Sequence, residues 1–238
     1  MLLGDACLIK RPDCVGATFS FVHSLKQMDY ALWKANLINQ IFKDKGLPRR
    51  CRTYQRAMPV DKRTGKVYHN LTVYLLWSKY LTILRTRTHK VIQFKEMKDA
   101  EYLLKQLDSD LHLAIWFGDD GAELRQKNPA KTKLGNPSYD LCTDSFTLGQ
   151  QHLIQQWFKL RYDVLPSVIK HSGNHRLHFS VEDSRKIFPV IAPYLMQTDS
   201  MKQKFWLSFE RYYNPKSTSP EIGDEDIIQV PEQNQVLN

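Results

Sequence analysis

A near-continuous apolar segment that ends on two adjacent carboxylates restricts the folds open to this chain. Residues 111–118, LHLAIWFG, contain one histidine among apolar residues and glycine, and Asp119 and Asp120 follow directly before Gly121. This composition predicts a buried helix over 111–120. Backbone carbonyls make the C-terminal end of a helix negative, so two acids at that end are unfavourable unless a positive charge compensates them. A bound cation would supply that charge.

A second Gly-Asp step lies near the start of the chain, at Gly4 and Asp5. The segments GDACLIK at residue 4 and GDDGAEL at residue 118 are separated by about half of the chain. Each is followed by strand-like residues, by a serine (Ser24 or Ser145) and by an amphipathic helix. These shared features predict a duplicated unit in which each copy opens with an apolar helix that ends in Gly-Asp.

The periodicity of apolar residues predicts the elements of each copy. In the first copy, residues 28–45 predict an amphipathic helix that Gly46 and Pro48 end. Its predicted apolar face consists of Tyr30, Trp33, Leu37, Ile38 and Ile41. Alternation then predicts strands at 49–56, within 62–77 after a turn, and at 82–90.

The second copy repeats this plan after a basic loop at 125–137. We expect a strand at 138–143 and a helix at 147–162, then strands at 166–171 and 175–180, a helix at 183–194 and a helical segment near 200–211. The residues of the 147–162 helix that we expect toward the core are Leu153, Ile154, Trp157, Phe158 and Leu160.

The charge distribution favours a polyanion as partner. The net charge is +9, yet residues 217–238 contain five acids and no Lys or Arg, so the rest of the chain is more basic than the whole. A basic body with a short acidic tail is typical of folded nucleic-acid binders, although many basic proteins bind no nucleic acid. The side chains that alternate onto one face of predicted strands, and fit phosphate and guanine contacts, are Arg50, Arg52, Tyr54, Arg56, Arg85 and Arg87. An ordinary solvated sheet face is the alternative.

Composition argues against several other classes. Apolar residues make up 42% of the chain, and no run approaches the ~18 apolar residues of a membrane span. The four cysteines form no CxxC pair, and the first residues lack a basic leader. We therefore expect an intracellular protein that is neither membrane-bound nor secreted, with the bacterial cytoplasm or an organelle as open compartments.

Packing of the two copies about a pseudo-twofold axis would bring their Gly-Asp steps together. Gly4 and Gly118 lack side chains, so the two apolar helices could approach closely and Asp5 and Asp120 would meet. Two carboxylates at such a distance repel unless they are protonated or bind a metal. Oxygen ligands suit Mg²⁺, which can generate hydroxide and stabilise the leaving oxygen of a phosphodiester. The arrangement predicts a nuclease.

The segments LLGDACLIK and WFGDDG resemble the two motifs of a single-chain LAGLIDADG homing endonuclease. The resemblance extends to YDLCTDSFTLGQQHLIQQWF and IAPYLMQTDSMKQKF and covers most of residues 2–206. It implies an α+β fold of two pseudo-symmetric αββαββα halves with saddle-shaped DNA-binding sheets. The implied organisation is a first half at 1–107, a second half at 108–215 and a disordered acidic tail at 216–238.

The resemblance also implies an activity and its acids. Members of the family cut both strands of double-stranded DNA at a long, specific site with Mg²⁺, which Mn²⁺ can replace. The carboxylate before the last small residue of each motif is catalytic and binds metal, which corresponds to Asp5 and Asp120. Asp119 stays open, either as a further acid of the site or as a residue that ends the helix. A monomer encoded in a mobile intron, or as a free-standing gene, is expected.

The family keeps a basic residue near each scissile phosphate. In the second half this corresponds to Lys204, with Lys202 as the alternative. In the first half the resemblance leaves Lys90, Lys95 and Lys98 open, and Lys98 is the preferred assignment. Further predicted DNA contacts are Arg125, Lys131, Lys133, Lys170 and Arg176.

One departure from the family defines the alternative function. The first motif helix of the family begins several residues before its glycine, whereas Met1 lies three residues before Gly4. We therefore expect a shortened helix and a weakened interface at this position. The alternative is a nucleic-acid binder that does not cleave, such as a maturase acting on intron RNA or a decayed endonuclease.

Overall fold

The computed structural model describes residues 5–10, 17–46, 51–76, 100–125 and 135–213. Its strands are β1 (Cys7–Lys10), β2 (Ala17–Ser24), β3 (Arg52–Ala57), β4 (His69–Leu76), β5 (Gly121–Leu124), β6 (Ser138–Leu141), β7 (Ser167–His171) and β8 (Asn174–Phe179). Its helices are α1 (Met28–Asp44), α2 (Ala100–Lys105), α3 (Asp110–Asp120), α4 (Leu148–Tyr162), α5 (Val181–Leu195) and α6 (Asp199–Lys204). A short helical segment, Trp206–Ser208, follows α6 and continues as one π-helical turn, Phe209–Tyr213.

The strands form two antiparallel four-stranded sheets with the same connectivity. The first sheet has the order β1-β2-β4-β3 and the second has the order β5-β6-β8-β7. In both, the strand after the Gly-Asp step pairs with the next strand along the chain, and the last pair forms a hairpin-like edge. This shared order agrees with the duplication that the sequence predicts, and the α+β fold class is confirmed.

Local sequence signals begin the two long helices of the second half. Thr147 accepts a hydrogen bond from the backbone of Gln150, whose side chain accepts one from the Thr147 backbone. Ser180 and Asp183 form the same reciprocal arrangement at the start of α5. These capping boxes satisfy backbone N–H groups that have no partner inside the helix, so both helices begin where the sequence signals them.

Two apolar residues of α4 were assigned to the wrong face. Ile154 and Phe158 are buried as predicted, but the prediction is wrong for Leu153 and Leu160, which are 47% and 87% exposed. The stripe that contacts the core runs through Gln151, Ile154 and Phe158, at helical spacing. The two leucines lie beside this stripe, where no described element covers them.

The buried face of α1 also differs from the prediction. Its stripe runs through Tyr30, Lys34, Ile38 and Phe42, each one helical turn apart, whereas Ile41 is 53% exposed. Tyr30 packs into the core of the second half, while the Ile38 and Phe42 side chains pack into the core of the first. Helix α1 therefore connects the two cores through one face.

Aromatic packing fixes the position of α3 in the second core. Trp116 stacks on Phe158 with ring centroids 6.3 Å apart, and Phe117 meets Phe179 edge to face at 5.3 Å. Burying a side chain of this size contributes roughly 2–3 kcal/mol. The helix end that carries Asp119 and Asp120 is therefore held on a closely packed support. Among the described helices, none has the length and apolar composition needed to cross a membrane.

Candidate active site

Two glycines shape the end of α3. A Cβ atom at Gly118 would lie 2.2 Å from the Tyr30 Oη, and a Cβ atom at Gly121 would lie 2.5 Å from the Phe117 carbonyl oxygen. Any side chain at either position would overlap atoms already in place. The space beside Gly118, which the sequence suggested for close helix approach, is thus occupied by the Tyr30 hydroxyl group from α1.

Asp119 points into the protein and takes its partners from the first half. Its Oδ1 accepts hydrogen bonds from the Lys34 Nζ at 2.5 Å and the Tyr30 Oη at 3.1 Å. Its Oδ2 accepts from the backbone N–H of Asp5 at 3.3 Å. The side chains of Asp119 and Lys34 are both fully buried. Of the two roles left open for Asp119, the contacts favour a structural acid that is already paired with a cation.

Asp120 follows Asp119 directly but differs from it in its pKa and in its contacts. Burial, followed by the charges of Asp5 and Asp119, raises the pKa of the Asp120 carboxyl from 3.8 to about 7. Its carboxylate forms no hydrogen bond or ion pair with another side chain in the described part of the protein. A partly buried carboxylate whose charge is opposed by neighbouring acids is a ready ligand for a divalent cation.

Asp5 and His23 complete the cluster from the first sheet. The Asp5 side chain is 39% exposed, and its Oδ2 lies 3.6 Å from the His23 Nδ1. The His23 Nε2 lies 3.8 Å from the Asp119 Oδ1 and has no hydrogen-bond partner among the described residues. Burial first, and then the charge of Lys34, lowers the pKa of His23 to about 4, so its ring is neutral at pH 7.

These groups form a candidate metal centre. Ligand atoms of Asp5, His23 and Asp119 all lie within 4.8 Å of one another. The set of carboxylate oxygens with one neutral imidazole suits Mg²⁺ or Mn²⁺. Asp120 is not one of these three residues, although the charges of Asp5 and Asp119 act on its carboxyl, and the charge of Asp119 is already compensated by Lys34.

Lys204 lies at the same helix end. Its Nζ donates to the carbonyl oxygen of Gly118 at 2.6 Å, and it lies 3.4 Å from that of Asp119. Burial lowers the pKa of Lys204, while Asp119, Asp5 and Asp120 act in the opposite direction. Lys202 instead pairs with Asp199 at 3.0 Å on the surface. Of the two lysines that the sequence left open, the structure brings Lys204 to the acids.

The predicted DNA-binding residues of β3 share one face of the first sheet. Thr53 lies opposite the buried Val73, so the odd-numbered residues of β3 face the core. The other face, which we call the open face, carries Arg52, Tyr54 and Arg56. All three are exposed, and neither arginine forms an ion pair within the described residues. Alternation along the strand is therefore as the sequence predicts, and binding of DNA there stays a prediction.

The open face of the second sheet is different in charge. Arg176 makes two hydrogen bonds to Asp144, at 3.2 and 2.8 Å, and its Nη1 lies 3.8 Å from Asp140. The Asp140 carboxylate also contacts the His178 Nδ1 at 2.8 Å. Arg176 is on the predicted face, but most of its donors are already occupied by carboxylates.

Two other predicted contacts lie away from the open faces. Lys170 is opposite His175 and shares the parity of the partly buried Val168, so it lies on the helix-side face of the edge strand β7. Arg125 donates to Glu123 at 3.2 Å and lies over the Trp206 ring at 5.0 Å. Both can reach DNA only around an edge of the sheet. The predicted residues outside the described ones are Arg50, Arg85, Arg87, Lys98, Lys131 and Lys133.

Sequence reasoning missed three members of the cluster: His23, Tyr30 and Lys34. A signal existed for each. His23 continues the core-facing alternation of Phe19 and Phe21 along β2. Tyr30 and Lys34 lie on the buried stripe of α1, and a lysine on such a stripe needs a buried anion.

The fold is mixed α+β with two equivalent sheets, and acids from both halves meet at one helix end. The chain belongs to the LAGLIDADG DNA endonuclease family, whose sequence pattern matches residues 1–187.

A solved homing endonuclease structure agrees in fold. The homing endonuclease I-WcaI, bound to its DNA recognition sequence, superposes with a TM-score of 0.56 at 16% identity, over 85% of this chain and 81% of the other. The meganuclease I-SmaMI, bound to uncleaveable DNA, gives a TM-score of 0.44 at 12% identity, over 81% of each chain.

A curated relative matches nearly the whole chain. Protein RecA of Mycolicibacterium flavescens is 26% identical over 235 residues, which is 97% of this chain. The match covers 49% of that protein, so the chain spans about half the length of the relative.

Proposed function

We propose that this protein is a site-specific endonuclease that cuts both strands of a long DNA site with a divalent metal ion held by Asp5 and Asp120. The observation that carries the proposal is the contact between the Asp5 backbone N–H and the Asp119 Oδ2 at 3.3 Å. This contact joins Asp5, the acid of the first Gly-Asp step, to the end of α3, which carries the second Gly-Asp step. Because one chain supplies both acids, a monomer suffices, with halves at 1–107 and 108–215.

The residues of the cluster fit a metal ion. Burial, and then the like charges of Asp5 and Asp119, raise the pKa of Asp120, and a divalent cation would relieve the repulsion between these acids. Mg²⁺ is the proposed ion, with Mn²⁺ as a substitute that the neutral His23 nitrogen would favour. When bound, the ion supplies a Lewis acid that activates water and stabilises the leaving oxygen. Asp120 must lose its proton to bind the ion.

Lys204 has the position of an electrostatic stabiliser. Its ammonium group is held by the carbonyl oxygens at the end of α3, next to Asp120. A cation fixed in a buried site stabilises the charge that develops on a phosphate more strongly than it would in water. Lys98 is the proposed counterpart in the first half.

The open face of the first sheet is the proposed DNA contact. Arg52, Arg56 and Tyr54 are exposed and on one side, and arginine forks fit both phosphate oxygens and the guanine edge. Arg50, Arg85, Arg87, Lys131 and Lys133 are proposed to extend this surface. A gene in an intron or another mobile element would fit a protein that cuts one long site.

A library of duplex DNA tests the proposal without knowledge of the target. The protein is incubated with random and host-derived duplexes in Mg²⁺, and double-strand ends are mapped by sequencing, with Asp120→Asn in parallel. We expect a recurrent staggered break with short 3′ overhangs that needs Mg²⁺ and disappears in the variant.

A non-cleaving nucleic-acid binder is the second candidate. It is favoured by the two lysines, Lys34 and Lys204, which already compensate the acid cluster without a metal. A folded protein that binds duplex DNA or structured RNA but yields no recurrent break would overturn the endonuclease and support this candidate.

A further inference from the structure

A buried ion pair connects the two halves next to the proposed catalytic acids. Lys34, in the middle of α1, has its Nζ 2.5 Å from the Asp119 Oδ1, and both side chains are fully buried. The Nζ also lies 4.5 Å from the centroid of the Phe21 ring and 4.8 Å from that of Tyr30. The lysine is thus enclosed by two rings and directed at a single carboxylate.

Stability alone gives little reason for such a pair. Removing two charges from water costs several kcal/mol each, and apolar residues of similar volume are often as stable as a buried ion pair. A well-packed aromatic and aliphatic core lies on both sides of α1. The role of the Lys34–Asp119 pair is therefore better explained by the residues that it holds in position.

Three donors from the first half converge on Asp119. They are the Lys34 Nζ, the Tyr30 Oη and the backbone N–H of Asp5. The carboxylate thereby connects the backbone of one proposed ligand, Asp5, to the residue directly before the other, Asp120. We call these four residues (Asp5, Tyr30, Lys34 and Asp119) the Asp119 clamp.

The charge of Lys34 has a second consequence. Without the ammonium group, three carboxylates would face one another, and Asp119 would be free to turn toward a metal ion. With the ammonium group of Lys34 in place, the negative charges that remain to attract a metal ion are those of Asp5 and Asp120. The Tyr30 hydroxyl group shares its one proton between the Asp119 Oδ1 and the Ile115 carbonyl oxygen, each 3.1 Å away.

We infer that Lys34 and Tyr30 are positioning residues that set the distance between Asp5 and Asp120 through Asp119, which is not itself a metal ligand. This inference rests on the proposed endonuclease function. It assigns to the first half of the chain a role in placing the acid of the second.

Three variants of the ion pair separate positioning from stability. Lys34→Met leaves Asp119 unpaired, and Lys34→Met/Asp119→Asn removes both charges. Lys43→Met, at an exposed lysine of the same helix, is the matched control. Each is measured for urea midpoint, for DNA affinity without metal, and for cleavage rate at saturating DNA, on the site recovered from the library.

The expected pattern is a separation of folding from catalysis. Lys34→Met lowers the urea midpoint, and the double variant recovers most of it. Both cut roughly 10–100-fold more slowly than the wild type, the usual loss when a residue that orients a metal ligand is removed, with DNA affinity within about twofold. Lys43→Met matches the wild type. A double variant that cuts at the wild-type rate would overturn the inference.

A milder variant keeps the test decisive if Lys34→Met does not fold. Tyr30→Phe removes only a hydroxyl group from Asp119. Tyr162→Phe is its control, because it removes a similar hydrogen bond, from Oη to the Asp110 Oδ1 at 3.0 Å, at the other end of α3. We expect about tenfold slower cleavage, at unchanged DNA affinity, for Tyr30→Phe alone. Equal rates for the two variants would contradict the clamp.

Amide hydrogen exchange tests the clamp without any cleavage. The Asp5 amide donates to Asp119, so its exchange should accelerate about tenfold in Tyr30→Phe and stay unchanged in Tyr162→Phe. A wild-type protein that cuts no DNA would overturn the proposed function, while exchange would still decide the clamp. Unchanged Asp5 exchange in Tyr30→Phe would overturn the clamp.

Discussion

The ammonium group of Lys204 lies 2.6 Å from the carbonyl oxygen of Gly118 and so caps the helix that ends in Asp119 and Asp120. With Lys34 on Asp119, the protein places two cations where the sequence has two acids at a negative helix end. The compensation that the sequence requires is thus provided by lysines. In the proposed function, a metal ion therefore serves the chemistry and is not required to compensate the end of the helix.

Replacement of Lys204 should affect cleavage more than DNA binding. Lys204→Met is expected to lower the cleavage rate about 100-fold, because a fixed cation beside the scissile phosphate is lost. Lys202→Met, at the surface lysine that pairs with Asp199, should cut at the wild-type rate. Single-turnover rates of both variants on the recovered site give the comparison. If Lys202→Met is the slower variant, the assignment of the two lysines is reversed.

The raised pKa of Asp120 predicts how stability depends on pH. The native state holds a proton on Asp120 up to about pH 7, whereas the unfolded state loses it near 3.8, so stability falls as the pH rises between these values. Asp120→Asn lacks this loss and should be the more stable protein at pH 8, by up to ~1.4 kcal/mol for each unit of the pKa shift.

Urea unfolding in EDTA at pH 4.5 and pH 8 measures this effect. Burial lowers the pKa of His23 to about 4, so His23 makes the protein more stable as the pH rises from about 4 to about 6.5. This contribution is the same in the wild type and in the variant, so it cancels in the difference between them. A difference between the two proteins that is the same at both pH values would contradict the raised pKa.

A pair of Gly→Ala substitutions tests the fit at the end of α3. Gly118→Ala places a Cβ atom against the Tyr30 Oη and should destabilise the protein by about 1–3 kcal/mol. Gly149→Ala lies in α4, where a Cβ atom meets nothing within 4 Å, and should stabilise it by up to ~1 kcal/mol. Thermal or urea unfolding compares them. If Gly118→Ala does not lower the stability, the Tyr30 hydroxyl group does not lie against residue 118.

The two open faces should respond differently to loss of an arginine. Arg52→Ala should weaken DNA binding and reduce the slope of log affinity against log salt by about 1, because a free cation is lost. Arg176→Ala should mainly lower stability, because Asp144 loses its guanidinium partner and Asp140 loses a nearby positive charge. Salt titrations of DNA binding and urea midpoints distinguish the two. Equal salt slopes for both variants would contradict the distinction.

The parts of the fold with strong periodicity could be predicted from the sequence. The helices at α1, α3 and α4 and the arginine alternation in β3 follow from spacing alone, because 3.6-residue and two-residue periods fix which side chains share a face. The wrong assignments, Ile41 in α1 and Leu153 and Leu160 in α4, are apolar residues beside a buried stripe. Hydrophobicity does not specify which of two neighbouring stripes meets a partner.

Of the candidate site, the sequence predicts the acids and Lys204 but not their other neighbours. Asp5 and Asp120 stand out because they repeat, whereas His23 in β2 and Tyr30 and Lys34 in α1 lie far along the chain from Asp119 and Asp120. Their roles depend on tertiary contacts with the end of α3. A buried lysine looks like a surface lysine in a sequence until its anion is known.

The direct test of the account is plasmid cleavage by proteins that lack one acid. A plasmid carrying the recovered site is incubated in Mg²⁺ with the wild type, Asp5→Asn or Asp120→Asn, and conversion to linear DNA is followed over time. If Asp5 and Asp120 share a metal centre, the wild type linearises the plasmid, and both variants bind it equally well but leave it uncut. Linear product from either variant at the wild-type rate would contradict a shared metal centre at Asp5 and Asp120.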